Sequence, residues 1–381
     1  MRIGLNLLFL IPNEVGGTET YATSLVSALA KLDHTNEYFM YVNKESVTKS
    51  FNTGANFHAN LCPIRARNRV FRFLWEQLIL PIQARRDQLD LMHSLGYISP
   101  LRLPCASLVT IHDLNYLYIP EAYSHFTRQV QKLFVSQSAF RVDQVIVVSD
   151  FIRDQVIEHL GVTADKIITI HEAVDVEVFQ EDLRGHWPKL QERFNLREPY
   201  FLAFSSLSPH KNIDCMIEAF AQYKQGDRSH SKLVISGHLT KLGPNLPEMA
   251  KRLGVERDVI FTGYLSSEAL RALLSNAVLF VFPSLYEGFG LPVLEAMAVG
   301  TPVACAQRGS LPEVGGEAAL YFNPTDSTEL ADVLSQVIAD DDLRQDLRER
   351  GRLNLSRFSW EKTAADTLAT YERVLTGISK R

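Results

Sequence analysis

Hydrophobic and polar positions along this chain switch repeatedly between two periods. Apolar runs of strand length occur at 3–10, 38–42, 89–93, 107–111, 145–148 and 167–170, and stretches with helical spacing lie between several of them, at 19–30, 74–85, 126–140 and 151–159. The alternation then restarts. It predicts strands at 200–205, 233–236, 259–261, 279–282, 302–304 and 319–322, with helices near 213–222, 268–274, 292–298 and 327–338. Continuous apolar strands alternating with helices imply parallel sheets covered on both faces. Two such series imply an α/β protein of two doubly wound domains, not one oversized sheet.

The boundary between the series is expected between 175 and 200, a polar stretch with Gly185 and Pro188 ahead of a fresh strand. The last segment, 360–375, places Trp360, Ala364, Leu368, Tyr371 and Leu375 on one helical face. It follows the completed second sheet, so it is expected to pack back on the first domain. The opening run, MRIGLNLLFLIP, has one basic residue and no small-residue cleavage site, and reads as a buried first strand, not a signal peptide. Ligands of doubly wound sheets bind outside the strand carboxyl ends. Two such edges facing each other would make a deep cleft, so the residues that carry chemistry should follow strands directly.

Composition narrows the class. The 381 residues are 46% hydrophobic and 22% charged, an ordinary folded profile. The net charge of −5 excludes broad nucleic-acid binding through overall charge. Cys62, Cys105, Cys215 and Cys305 stand far apart, which suits a reducing compartment and argues against a disulfide framework or a zinc site. No apolar run approaches the roughly 18 residues of a spanning helix.

The strongest chemical signal is Pro283-Ser-Leu-Tyr-Glu287-Gly288-Phe289-Gly290-Leu291-Pro292-Val-Leu-Glu295, directly after a predicted strand. Pro292 suits a first helical turn. The glycines free the preceding loop, so that the N–H groups of Phe289, Gly290 and Leu291 can face a phosphate at a helix N-terminus. Glu287 and Glu295 would border that anion site, and a carboxylate can accept from both hydroxyls of a vicinal diol. A solvated loop glutamate and a helix-dipole glutamate would read the same way. Ser205-Ser206-Leu-Ser-Pro209-His210-Lys211-Asn212 also follows a strand; Lys211 can pair with a diphosphate, and Asn212 suits an N-cap. Gly16-Gly17-Thr18 allows close backbone approach, with Thr18 as a candidate cap, but a plain tight turn fits equally. Ile111-His112-Asp113 ends another strand; His112 can bond a sugar hydroxyl or serve as a satisfied structural histidine.

Asp340-Asp341-Asp342 contains a DxD pattern but lies between two predicted helices, where capping explains it. A basic, aromatic stretch spans Arg65, Arg67, Arg69, Phe71, Arg72, Phe73, Trp75, Arg85 and Arg86. It suits peripheral contact with an anionic membrane, or a helix with one core face and one solvated face.

Together, the EGFGLPVLE run with its E-x7-E pair, the SPHKN segment, Gly16-Gly17, His112 and the closing Phe358-Ser-Trp360-Glu-Lys-Thr resemble the retaining glycosyltransferases of family GT4, the group 1 type, over nearly the whole chain. The resemblance implies the GT-B fold: two Rossmann-like, doubly wound domains facing across a deep cleft, with a C-terminal helix crossing back to the N-terminal domain. It implies an acceptor-binding domain at 1–180 joined by 360–381, and a donor-binding domain at 195–359. In such enzymes the counterpart of Glu287 and the backbone after it hold the donor sugar and diphosphate, and that of Glu295 holds the ribose. The Lys211 counterpart neutralises phosphate, the glycines approach the donor, and the His112 counterpart lines the sugar site. Ser205-Ser206 departs from the Gly-Arg or Gly-Thr of many members; Ser206 can offer a hydrogen bond but no charge, which shifts load onto Lys211. Strand-end position adds Gly237, Tyr264 and Leu265 as candidates for the base.

The resulting expectation is a cytoplasmic, metal-independent, retaining transferase without a cofactor. It would move a hexose from a nucleotide-sugar donor, GDP-mannose first, to a glycan, lipid-linked saccharide or small acceptor. A UDP-sugar glucosyltransferase, a sugar-nucleotide epimerase and a noncatalytic donor-binding subunit are the alternatives.

Overall fold

The computed structural model of the chain describes residues 1–381 except 13, 15, 48–50, 52, 180–184, 207, 227–229, 240–243 and 379–381. The chain divides into two compact units: Met1–Leu117 with His125–Ala173 and Ser359–Arg381, and Tyr118–Ser124 with Val174–Phe358.

The first unit holds a seven-stranded sheet: β1 (Arg2–Asn6), β2 (Glu37–Val42), β3 (Phe57–Leu61), β4 (Leu91–Ser94), β5 (Ala106–Ile111), β6 (Gln144–Val147) and β7 (Ile167–Thr169). Its order is β3-β2-β1-β4-β5-β6-β7, and neighbours pair in parallel throughout. Every residue of β4, β5 and β6 is buried, as the unbroken apolar runs require of strands covered on both faces. Helix Gly17–Leu32 turns Tyr21, Ala22, Leu25, Val26 and Leu29 inward, a helical stripe against this sheet.

The second unit holds six strands: β8 (Tyr200–Ser205), β9 (Lys232–Gly237), β10 (Val259–Gly263), β11 (Leu279–Phe282), β12 (Val303–Ala306) and β13 (Ala319–Phe322). Their order, β10-β9-β8-β11-β12-β13, is also all parallel. Phe201, Phe220 and Tyr223 anchor its core, with ring centroids 5.4–6.3 Å apart. Each fully buried ring contributes roughly 1.5–3 kcal/mol. In both sheets the order reverses once, between β1 and β4 and between β8 and β11. Ligands of doubly wound sheets bind at such switch points.

Several elements differ from the sequence expectation. The first strand stops at Asn6, yet Leu7, Leu8 and Leu10 stay buried. The Asn43 amide donates to the carbonyls of Leu8 and Leu10, 3.0 and 2.8 Å away, so this apolar run is a side-chain-stapled turn. β3, an edge strand with three exposed residues, has too weak an apolar pattern to be seen in sequence. The first helix begins at Gly17 with Gly16 at its cap position (φ 59°), so Thr18 lies inside the first turn and is not the cap. Asn212 is left-handed (φ 55°), and its amide donates to Pro283 and Pro324 carbonyls rather than capping the next helix from outside. Asp340 does cap helix Asp341–Asn354, accepting from the Leu343 N–H at 2.8 Å.

Among its described residues the expected linker holds helices. Helices Val176–Phe179 and Trp187–Phe194 belong to the second unit, which also takes in Tyr118–Ser124. The chain therefore changes unit after Ala173, not within 180–195. Helix Trp360–Ile378 belongs to the first unit, where the Tyr371 hydroxyl meets His93 Nδ1 at 2.7 Å and Thr363 donates to the His171 carbonyl at 2.8 Å. Residues 379–381 of the expected returning segment lie outside the described residues.

Candidate functional site

In the second unit the two loops that leave the switch point carry the strongest motifs. After β8 the chain makes a 3-10 turn, Pro209–Lys211, and enters helix Ile213–Gly226. After β11 it runs through Glu287 into helix Leu291–Ala298. The loops are stitched together: Leu285 N–H donates to the His210 carbonyl at 2.8 Å, and the Asn212 amide donates to the Pro283 carbonyl at 3.1 Å. This brings Lys211 Nζ within 2.5 Å of Glu287 Oε1, with the ammonium also 4.7 Å from the Phe282 ring centroid. His210 Nε2 lies 3.8 Å from the same carboxylate oxygen, and its Nδ1 meets Ser208 Oγ at 2.7 Å.

The surroundings set the charges. Burial pushes Glu287 up, but the Lys211 ammonium and its hydrogen bond outweigh it and hold the carboxyl below its ordinary range. Burial, helped by Lys211, lowers His210 to about 4 against the pull of Glu287, so its imidazole is neutral near pH 7. Glu295, one turn into the helix, is pushed up to about 7 by burial, with only partial relief from Lys211. The two glutamates of one motif thus differ in charge state, and acid pairs split this way suit distinct roles.

Gly290 opens the helix at φ 119°. That conformation favours glycine, and a Cβ there would lie 2.8 Å from Leu311 Cδ2, whose side chain would have to shift. Gly288, by contrast, does not have positive φ. Ser310 Oγ donates to the carbonyls of Glu287 and Phe289, at 3.0 and 2.6 Å, and fixes the loop. The side chains of Phe289 and Leu291 are buried, Phe289 edge-on to Phe358, which leaves backbone as what these residues can offer a ligand.

The remaining candidates in this unit differ in what they expose. Ser206 Oγ accepts from the Ser208 N–H at 3.2 Å, closing a local turn. Gly237 is required by its own sheet: φ is 120°, and a Cβ would come within 2.1 Å of the Ser205 carbonyl oxygen. Leu265 is buried, so its side chain forms wall. Tyr264 is 64% exposed and stacks on His238 at 5.5 Å, a surface that a flat ring can extend.

In the first unit, Gly16 and Gly17 are exposed at the start of the helix that follows β1. His112, just past β5, is 6% exposed and fully engaged. Its Nε2 lies 2.9 Å from the Leu95 carbonyl and its Nδ1 3.0 Å from Glu172 Oε1. A carbonyl accepts, so Nε2 carries a proton. A sugar hydroxyl would have to displace one of these partners to reach a ring nitrogen. Glu172, itself 4% exposed, is not singled out by the sequence patterns above. Its signal is present all the same: it lies just beyond the predicted strand 167–170, the same edge position that draws attention to His112. Ser310 carries no such signal, because its partners are set by the loop path.

The likeness to known proteins agrees with this geometry. Residues 15–178 match the family model Glycosyltransferase Family 4, and residues 189–354 match Glycosyl transferases group 1. The chain is 31% identical over 290 residues to O-antigen chain mannosyltransferase B of Escherichia coli, covering 76% of each protein. It is 29% identical over 278 residues to the serotype-specific mannosyltransferase WbdA of Escherichia coli, covering 72% of this chain and 34% of that one. Sucrose-phosphate synthase from Thermosynechococcus elongatus superposes with a TM-score of 0.79 at 20% identity, over 99% of this chain and 100% of that one, which shows the fold. The chain belongs to the family 4, group 1 glycosyltransferases: it is a hexosyltransferase of the GT-B fold.

Proposed function

We propose that this enzyme transfers mannose from GDP-mannose, with retention and without a metal ion, to a hydroxyl of a glycan or a lipid-linked saccharide in polysaccharide assembly. The observation that carries the reading is the Lys211–Glu287 contact at the β8/β11 switch point, beside the Gly290 helix start. It supplies a cation and backbone N–H groups for a diphosphate and a carboxylate for sugar hydroxyls. The names of the two Escherichia coli relatives support mannose as the sugar.

In this mechanism the acceptor hydroxyl attacks from the face that the diphosphate leaves. The acceptor oxygen bonds to the anomeric carbon, the bond to the phosphate oxygen breaks, and that oxygen takes the acceptor's proton. The protein stabilises the developing phosphate charge through Lys211 and the helix start, and positions the sugar through Glu287 and the ribose through Glu295. In the first unit the candidates for sugar contacts are Gly16, Gly17 and the His112 region; in the second, Ser206, Gly237, Tyr264 and the Leu265 backbone are those for the nucleotide. Among the described residues no helix is long and apolar enough to cross a membrane. We place the enzyme in the cytoplasm, at the inner face of the membrane.

A melting-temperature panel of GDP, UDP, ADP and their sugars tests the donor, since a ligand of the folded state stabilises it by mass action. GDP and GDP-mannose should give the largest shifts, and transfer should persist in EDTA. A larger shift with UDP-glucose would reassign the donor, and loss of transfer in EDTA would overturn metal independence.

A further inference from the structure

The carboxyl edge of the first sheet carries a basic cavity that the mechanism above does not use. Lys44 follows β2, and the chain beyond β3 alternates: Ile64 and Ala66 are buried, while Arg65 and Arg67 are exposed. The buried pair anchors a strip whose arginines stay exposed, and the strip ends in a turn in which the Asn68 N–H donates to the Arg65 carbonyl at 3.1 Å. Two hydrogen bonds clamp the strip to the β2 loop. The Lys44 N–H donates to the Ile64 carbonyl at 3.0 Å, and the Glu45 carboxylate accepts from the Ala66 N–H at 2.9 Å. Lys44, Arg65, Arg67 and Arg69, with Glu45 and Asn68, line a cavity of about 880 Å³. Glu14 pairs with Arg67, and Glu45 is the single carboxylate of the lining among the described residues.

A second observation gives this cavity a direction. Val70, which also lines it, begins an apolar ridge on the helical segment Arg69–Arg86. Val70 is 65% exposed, Leu78 61% and Ile82 64%, and Leu74 is exposed between them. These positions are four apart. In an α-helix each step of four overshoots one turn by about 40°, which would wind such residues around the axis. Here Trp75–Ile79 form a π turn, whose wider i→i+5 winding takes up that drift. Glu76, Leu80 and Ala84, also four apart, are buried opposite. A line of exposed aliphatic side chains beside clustered cations complements an anionic bilayer, with apolar groups entering the acyl boundary and cations at the headgroups.

We propose that the cavity binds the phosphate or diphosphate headgroup of an acceptor lipid while the ridge beds into the bilayer that holds it. The inference rests on the reading of the enzyme as acting on a lipid-linked acceptor. Guanidinium groups match phosphate oxygens in bidentate geometry, and Val70 joins the headgroup site to the apolar ridge without a gap.

Flotation of the full chain with vesicles tests this, with phosphatidylcholine alone and with phosphatidylcholine containing phosphatidic acid. Binding should require phosphatidic acid and should be inhibited by inorganic pyrophosphate. Arg65→Gln/Arg67→Gln/Arg69→Gln should weaken it at least about tenfold, since each cation near an anionic surface counts for about 1 kcal/mol. Leu78→Ser/Ile82→Ser should weaken it too, while pyrophosphate should still raise that variant's melting temperature. Absence of binding to phosphatidic acid vesicles would overturn the proposal, as would a triple variant that binds like the parent. A pyrophosphate melting shift that Arg65→Gln/Arg67→Gln/Arg69→Gln diminishes, without vesicle binding by the parent, would overturn the lipid source and leave a soluble phosphate ligand at the cavity. Vesicle binding needs no donor, so a failure of GDP-mannose in the donor panel is separate from a failure here.

Discussion

The ammonium of Lys211 sits 2.5 Å from the carboxylate of Glu287, 76 residues further along the chain. Neither group is fixed by its neighbours in sequence; the meeting depends on β8 and β11 being adjacent in the sheet. A diphosphate brought to Lys211 meets a cation already oriented by that carboxylate. Replacing Lys211 with Ala should cost about 2–4 kcal/mol of transition-state stabilisation, the scale for one preorganised charge-stabilising group. That is a roughly thirty- to thousandfold loss in kcat/KM. Near-parental turnover in steady-state assays would remove Lys211 from the mechanism.

Glu295 gives a pH signature. Its folded pKa is about 7 against an ordinary 4.5, so the folded state holds a proton that the unfolded chain releases between those values. Its contribution to stability is full below about pH 4.5 and is lost as pH rises through about 7. Burial places Glu76 near the same value, with the same sign. Glu295→Gln should therefore flatten part of the fall in denaturation midpoint between about pH 5 and 8, and leave the share from Glu76. An ionised carboxylate accepts more strongly than a protonated one, so, if Glu295 holds the ribose as proposed, the affinity for GDP should rise with pH through about 7 in the parent, beyond any rise shown by Glu295→Gln. Titration calorimetry that found identical pH profiles would exclude Glu295 from the ribose site.

His112 and Glu172 form a buried hydrogen-bonded pair, and removing one partner leaves a buried polar group unsatisfied. Glu172→Ala should destabilise the first unit by about 1–3 kcal/mol in denaturant melts. Glu172→Gln, whose amide can still hydrogen-bond Nδ1, should recover much of that. If both variants melt like the parent, this contact does not hold the first unit together.

Gly237 separates a structural demand from a ligand-binding one. Its φ is 120°, and a Cβ at this position would stand 2.1 Å from the Ser205 carbonyl oxygen, so alanine must push β8 and β9 apart. Backbone strain of this kind costs about 1–3 kcal/mol, before the clash itself is counted. Gly237→Ala should lower the melting temperature with or without nucleotide. Loss of GDP affinity at unchanged stability would assign the glycine to the base instead.

How far the sequence reveals these features depends on the range of the cause. Strands 200–205 and 279–282 have the same limits in the structure, because burial on both faces writes an unbroken apolar run. Residues 7–10 show the failure of that rule: their side chains are largely buried, while the carbonyls of Leu8 and Leu10 bond the Asn43 side chain instead of a neighbouring strand. Caps expected at Thr18 and Asn212 follow local chemistry that tertiary contacts override. Glu287 and Glu295 are visible through their spacing and strand-end position. Their different charge states are not, since these come from Lys211 and burial across two loops. The partner of His112 lies 60 residues away, beyond any periodicity.

The first unit is assembled from three separate stretches of chain, and the last of them, from Ser359, follows the whole second unit. Tyr371, on that stretch, completes a buried polar relay through His93 and Thr110 to Tyr21. During translation the ribosome must therefore finish the second unit before the first receives its final helix. The amino-terminal half waits, partly exposed, for a segment made hundreds of codons later. A premature stop just ahead of that helix should leave the later-made lobe whole and the earlier-made one open.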